Sequence, residues 1–272
     1  MINTMVSMGK TTIGLIGGGN MGTAILAGIG RTFAVRVCEA DSKRAQVLKR
    51  RFRVAVMDIT TVVRQSGIVI LAVKPQSFEE VLAGVRPFVT KRHLIISIAA
   101  GITCRYIEKR LGHGIRVVRT MPNLPAQVGE GMTAVCAGKR ATRADLQKAR
   151  QIFNGIGQAV VVEEKWMDAV TAVSGSGPAY VFLFVECLQK AAVSLGLKKD
   201  LSEQLVTQTL KGGLALLEKS KEDAGVLRAR VTSKGGTTQA AMDVFFKNKF
   251  EEIFERALQA AQKRAKELSL SI

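Results

Sequence analysis

Several things are scarce in this chain of 272 residues, and each scarcity removes a class of function. The four cysteines, Cys38, Cys104, Cys136 and Cys187, are scattered and form no C-x-x-C pair. That spacing argues against a zinc site and a disulfide framework, and it fits a cytoplasmic chain. Each cysteine reads as a small apolar filler. The apolar runs fall short of the roughly 18 residues a membrane helix needs, so no membrane partner is expected. Met1 to Lys10 lacks the sustained apolar stretch of a secretory signal, and Met5 or Met8 could be the true start. Only His93 and His113 represent histidine, and no acid–base pair is evident. Both are expected at surface strand or loop ends. Acidic residues are also few, 22 against 40 Lys and Arg, which leaves a net charge of +18. Such a field attracts polyanions without specificity and favours anionic small molecules equally. The charge is spread rather than blocked, and neither zinc-finger spacing nor an aromatic RNA-binding signature accompanies it. A basic, solvated surface with no specific nucleic-acid partner is therefore preferred.

What is present is apolar and patterned. The 47% hydrophobic content supports one large or two modest domains. The organising stretch is Gly17-Gly18-Gly19-Asn20-Met21-Gly22, after the apolar strand Thr12 to Ile16 and before a helical pattern running to about Gly30. This is G-x-G-x-x-G in its strand, turn and helix context. Gly17 permits the sharp turn, Gly19 lets a pyrophosphate approach the backbone, and Gly22 lets the helix pack on the strand. The helix start then presents free N–H groups and a positive dipole end to the phosphates.

Strands and helices alternate onward: Ala34 to Glu39, helix Ser42 to Phe52, Val54 to Val56, Ile68 to Val73, Leu94 to Ile98, Ile115 to Arg119, Met132 to Ala137, helix Thr142 to Asn154, and Ala159 to Val162. Ser77 and Glu80 have the spacing of a capping box. The alternation predicts an α/β class with a Rossmann-type, doubly wound parallel sheet. From Trp166 the pattern is helical throughout, with a break at Ser174 to Pro178. The expected domains are 1–164, dinucleotide-binding, and 165–272, all-helical. Tyr180 to Val185 is apolar on every helical face, so it is read as a subunit interface in preference to the core of a monomer.

Three turns leave the C-terminal edge of the sheet, where ligands bind in open α/β folds: Ala72 to Gln76, Ser97 to Gly101 and Arg119 to Asn123. Glu39 ends the second strand, about 20 residues past the glycine turn, where a carboxylate receives the adenosine ribose of NADH. Ser42, Lys43 and Arg44 follow closely and could hold a 2′-phosphate instead. NAD(P)H is the expected cofactor, leaning to NADH. Val231 to Thr238 joins two helices, and Ser233, Gly235, Gly236, Thr237 and Thr238 form either an anion nest for a carboxylate or ordinary capping by one of the threonines.

These motifs carry a resemblance. Ala72 to Gln76, Arg119 to Pro125, Asp168 to Thr171 with Ser174 to Tyr180, and Val231 to Thr238 resemble the Δ1-pyrroline-5-carboxylate reductase family over about Thr12 to Leu268. The resemblance implies a helical dimerisation domain, a homodimer that assembles further into a ring, and reduction of a cyclic imino acid to L-proline as the last step of proline biosynthesis. It implies that Gly17, Gly19, Asn20, Met21 and Gly22 hold the pyrophosphate. Glu39 then faces the ribose, and Ala72, Val73, Lys74, Pro75 and Ala99 line the nicotinamide side. Ser233, Gly236, Thr237 and Thr238 bind the substrate carboxylate, Thr171 reaches the ring, and Thr238 is the residue on which turnover depends. No metal is implied.

The sequence departs from the family pattern at Lys234 and Ala224, where proline is usual, and at Ile59, where an asparagine contacts the cofactor. These leave room for a related cyclic imine. An iminium that arrives protonated needs no strong general acid, so catalysis rests on positioning. The rivals are a β-hydroxyacid-type dehydrogenase, which would need a catalytic lysine such as Lys165 or Lys190, and a non-enzymatic nucleotide- or polyanion-binding protein.

Overall fold

The structure, a computed structural model, describes residues 11–270, so the alternative starts Met5 and Met8 lie outside the described residues. The chain divides into two compact units. One runs to Ser176 and takes in the chain from Ala261 onward; the other is Gly177–Ala260.

The first unit alternates β1 (Thr12–Ile16), α1 (Asn20–Ile29), β2 (Ala34–Cys38), α2 (Ser42–Phe52), β3 (Ala55–Val56), α3 (Ile59–Arg64), β4 (Ile68–Leu71), α4 (Phe78–Val85), β5 (Leu94–Ser97), α5 (Cys104–Leu111), β6 (Arg116–Pro122), β7 (Gly131–Ala137), α6 (Arg143–Phe153), β8 (Gly157–Val161) and the short α7 (Met167–Val170). The sheet order is β3-β2-β1-β4-β5-β6-β7-β8. The order reverses between β1 and β4, the switch point at which doubly wound sheets bind ligands. The sheet is not wholly parallel: β7 runs antiparallel to β6, because the short connection Leu124–Val128 gives no helical crossover to bring the chain back. The other pairs are parallel.

The continuous apolar runs of the central strands are explained by helices on both faces. Ile68 and Ile70 enter one core with Leu26, Leu48 and Phe153, whereas Val69 and Leu71 enter the other with Phe78, Leu82 and Ile107. Each fully buried large side chain contributes about 1.5–3 kcal/mol. The expected capping box at Ser77 does not form. Ser77 makes no side-chain cap bond, because Pro75 first starts a 3-10 turn that runs directly into α4. A capping box closes instead at Thr142 and Asp145, ahead of α6.

The second unit holds α8 (Gly177–Ser194), α9 (Lys199–Ser220), α10 (Ala224–Arg230), α11 (Thr237–Lys247) and the first half of α12 (Phe250–Leu270). Helix α8 has no buried residue, and Phe182 and Leu183 are each 58% exposed. Tyr180, Leu183, Phe184, Phe245 and Phe254 line an apolar groove of about 410 Å³ in this unit. The expected break at Ser174 to Pro178 is a π-helical turn, Thr171–Gly175, so the helical chain continues. By length and composition alone, Glu164–Ser194 is long and apolar enough to cross a membrane, with an 18-residue stretch of mean hydropathy 1.3. This corrects the reading that apolar stretches are too short, which treated the glycines of the turn as an end.

Candidate functional site

Gly17 sits with φ +100°, a conformation that glycine adopts without strain, and its N–H donates to the Cys38 carbonyl at 2.8 Å. A Cβ at Gly17 would lie 2.5 Å from the Ala72 carbonyl oxygen, and one at Gly22 would lie 2.2 Å from the Gly17 carbonyl oxygen. The glycine turn is thus packed directly against the turn after β4. Gly19 faces open space, and it caps α1 without a side-chain bond or an acidic first turn. The first N–H groups of the helix are left for an anion, so the residues present fit a dinucleotide pyrophosphate. Asn20 and Met21 open that helix.

Sequence reasoning missed Gly18. A Cβ there would meet Leu48 Cδ1 at 2.2 Å, and its N–H donates to Glu39 Oε2 at 2.7 Å. Three successive glycines were the available signal. Glu39 also accepts from the Asp41 N–H at 2.8 Å, and Arg44 Nη1 lies 3.3 Å from both of its oxygens. The carboxylate is 94% buried by this arrangement and ties the end of β2 to the glycine turn.

Ala72, Val73, Lys74 and Pro75 leave β4 beside Gly17, with Lys74 exposed at the head of the 3-10 turn. Ala99 is buried, and its N–H donates to Ser97 Oγ at 3.2 Å. The register pairs Ser97, the last residue of β5, with Arg119, so that β6 runs on past the end of β5. Arg119 is buried and reaches back to Glu164 at 3.4 Å and Asp168 at 3.9 Å. Glu164 also accepts from the Cys104 N–H at 2.8 Å. Cys104, Cys136 and Glu164 bring ligand-type atoms within 4.8 Å of one another, a juxtaposition their separation in sequence did not announce. The carboxylate is already matched to Arg119, and the hydrogen bond to Cys136 together with burial raises the Cys104 thiol pKa.

Thr171 opens the π turn and donates its hydroxyl to the Met167 carbonyl at 2.8 Å. In the second unit, Ser233-Lys234-Gly235-Gly236 forms a turn closed by the Gly236 N–H to the Ser233 carbonyl at 3.0 Å, with Gly235 at φ +71°. Gly236 caps α11, and a Cβ on it would lie 2.4 Å from Ser233 Oγ. Thr237 and Thr238 are therefore the first two helical residues and not caps, which removes the capping alternative. Their N–H groups open the helix, and the Ser233 hydroxyl lies beside the Gly236 cap.

His93 is buried, contrary to the surface position expected. Its Nδ1 accepts from the Thr90 N–H at 2.9 Å, and its Nε2 lies 3.2 Å from the Val63 carbonyl. Burial, ahead of all other effects, lowers its pKa. Lys165 and Lys190 are exposed and paired with Glu163 and Glu186, which gives neither the buried setting of a catalytic lysine.

Comparison with known proteins decides the family. The chain is 40% identical over 263 residues to the pyrroline-5-carboxylate reductase of Synechocystis, with 94% of this chain and 97% of that one covered. It is 37% identical to the reductase of Mycobacterium tuberculosis, covering 97% and 98%. The chain belongs to the pyrroline-5-carboxylate reductase family. A family profile for pyrroline-5-carboxylate reductase dimerisation matches residues 164–268, and one for NADP oxidoreductase, coenzyme F420-dependent, matches residues 12–101. A solved pyrroline-5-carboxylate reductase from Coxiella burnetii superposes with a TM-score of 0.90 at 36% identity, covering 96% of this chain and 99% of that one. The Plasmodium falciparum enzyme, solved with NADP bound, gives 0.85 at 32% identity, covering 95% and 98%.

The structure shows the local setting of each of the three departures. Ile59 begins α3 and packs into the core beside α4. Ala224 is not in a loop but is the first residue of α10, behind the Asp223 cap, a position that suits proline. Lys234 occupies the second position of a turn whose third residue is a left-handed glycine, again where proline is favoured.

Proposed function

We propose that this chain reduces Δ1-pyrroline-5-carboxylate to L-proline with NAD(P)H, as the last step of proline biosynthesis in the cytoplasm, and that it works as a homodimer that assembles further into a ring. The observation that carries the reading is the open start of α11 behind the Ser233–Gly236 turn, on a chain that matches reductases along nearly its full length. Residues 1–164 serve the cofactor, and 165–272 serve the substrate and dimerisation.

Gly17, Gly19, Asn20, Met21 and Gly22 hold the pyrophosphate, and Ala72, Val73, Lys74, Pro75 and Ala99 form the wall for the nicotinamide. When bound, the reduced nicotinamide supplies the hydride. NADH is preferred over NADPH, because Glu39 already draws Arg44 to itself at 3.3 Å and presents a carboxylate where a 2′-phosphate would come. Ser233, Gly236, Thr237 and Thr238 bind the substrate carboxylate with N–H and hydroxyl donors. Thr171 reaches the substrate ring, and the residues act by positioning an imine that is already protonated. The exposed apolar helices of the second unit pair with those of a second copy, which accounts for the exposed apolar residues of α8 without a membrane.

The test is oxidation of NADH and NADPH by Δ1-pyrroline-5-carboxylate, followed by absorbance. Saturable oxidation with L-proline as product and a lower KM for NADH is expected. Thr238→Ala is expected to lower kcat by about 100-fold, roughly 2.7 kcal/mol. Cofactor binding without imine reduction would sink the substrate assignment, and unchanged kinetics in Thr238→Ala would remove that residue from the site.

A further inference from the structure

Residues 119, 121 and 123 lie on one face of β6 and its continuation, and each meets the helical segment that follows β8. Arg119 pairs with Glu164 and Asp168. Met121 lies against Gly175, where an added Cβ would come within 2.6 Å of its Cε. Asn123 Nδ2 donates to the Ser174 carbonyl at 3.1 Å and approaches the Ser174 hydroxyl at 3.4 Å, while its Oδ1 accepts from the Met132 N–H at 2.8 Å. The three contacts step along the segment from an ion pair, through packing, to an amide bond.

The uppermost contact has a covalent reason. In an α-helix the Ser174 carbonyl would receive the N–H four residues on, but that residue is Pro178, which has none. The π turn Thr171–Gly175 lies just before it, with the Ser176 N–H reaching the Thr171 carbonyl at 2.8 Å. Asn123 donates to this carbonyl, whose α-helical donor is missing. Irregular π turns inside helices are frequent at functional sites, and this one carries Thr171, whose Cγ2 also lies beside Gly175. Arg119 pairs with Ser97, the last residue of β5, so the anchoring face runs out from the C-terminal end of the parallel strands, the edge at which open α/β sheets bind ligands.

We propose that Asn123 is a positioning residue: by satisfying the Ser174 carbonyl it fixes the π turn and so the placement of Thr171 at that edge. The catalytic half of this inference rests on the reading that Thr171 meets the substrate ring. The role is separable from a structural one, because the two halves of the amide do different things. Oδ1 stitches the connection between β6 and β7, and Nδ2 alone serves the π turn.

Asn123→Asp keeps the acceptor for Met132 and removes the donor to Ser174. It is expected to lower kcat at least 10-fold with imine, to leave NADH affinity within twofold, and to speed hydrogen exchange of the Ser176 amide at least 10-fold. Gly175→Ala pushes the same turn from the Met121 side. The double variant is expected to lose less than the product of the two single losses, because both act through one segment. Unchanged Ser176 exchange in Asn123→Asp overturns the proposal. So does faster exchange with full kcat, which leaves only a structural role. A wild-type protein that binds NADH but reduces no cyclic imine overturns the proposed function and the catalytic half here, while the exchange measurement still decides whether Asn123 holds the turn.

Discussion

The two compact units use apolar residues in opposite ways. In the first, Ile70, Leu71, Ile95 and Ile96 are fully buried between helices, and the polar groups of the site are tied to one another: Gly18 to Glu39, Glu39 to Arg44, Glu164 to Arg119. In the second, α8 has no fully buried residue, and Phe182, Leu183 and Phe246 are exposed. The first unit buries its apolar strands within itself. The second presents a surface of core composition, and large contiguous apolar surfaces of that kind mark protein interfaces.

The contrast can be broken in four places. The largest effect is expected at the glycine turn. Gly22→Ala sets a Cβ 2.2 Å from the Gly17 carbonyl oxygen, and NADH binding should fall by about 100-fold or more, roughly 2.7 kcal/mol, by fluorescence titration. Binding near the wild-type value would mean that the turn yields. Next is the apolar face of the second unit. Phe182→Asp should weaken self-association by about 2 kcal/mol or more, read by sedimentation, while NADH binding by the first unit persists. An unchanged oligomer would place the interface elsewhere.

A smaller effect is expected from His93. Burial depresses its pKa in the folded state, so below the ordinary histidine value the unfolded chain binds the extra proton more readily. Its contribution is full above that value and is lost as pH falls toward the depressed one. Protonation would also set an Nδ1–H against the Thr90 N–H. Thermal unfolding from pH 7 to pH 5 should therefore show a falling Tm, and His93→Gln should flatten that slope; the same slope in both would exonerate the histidine. The smallest effect is a gain: Ala224→Pro, at the first position of α10, should stabilise by about 0.4–1 kcal/mol in denaturant unfolding.

Much of the first unit was legible in the sequence because its signals are local. The glycine turn needs a positive φ and close approach, and Gly17 and Gly22 show both within a few residues. Buried strands announce themselves as Ile68 to Leu71 and Leu94 to Ser97 do, by continuous apolar runs. Of the candidate residues the sequence offered types only, at strand ends in the first unit and at Ser233 to Thr238 in the second. What escaped is contact over distance. Nothing near Asn123 in the chain points to Ser174, 51 residues on, and nothing near Arg119 points to Glu164, 45 residues on. His93 looked like a loop residue because its partner carbonyl, on Val63, lies 30 residues before it.

By itself the sequence determined where the chain turns, which strands are buried on both sides, and that the last hundred or so residues are helical, since dihedral preference and periodicity belong to short stretches. Only the tertiary structure decided that β7 runs antiparallel, that Glu39 clasps the glycine turn, and that Asn123 supplies the donor Pro178 lacks. Each depends on which distant segment becomes a neighbour, and hydrogen bonding inside a folded chain is satisfied by neighbours in space.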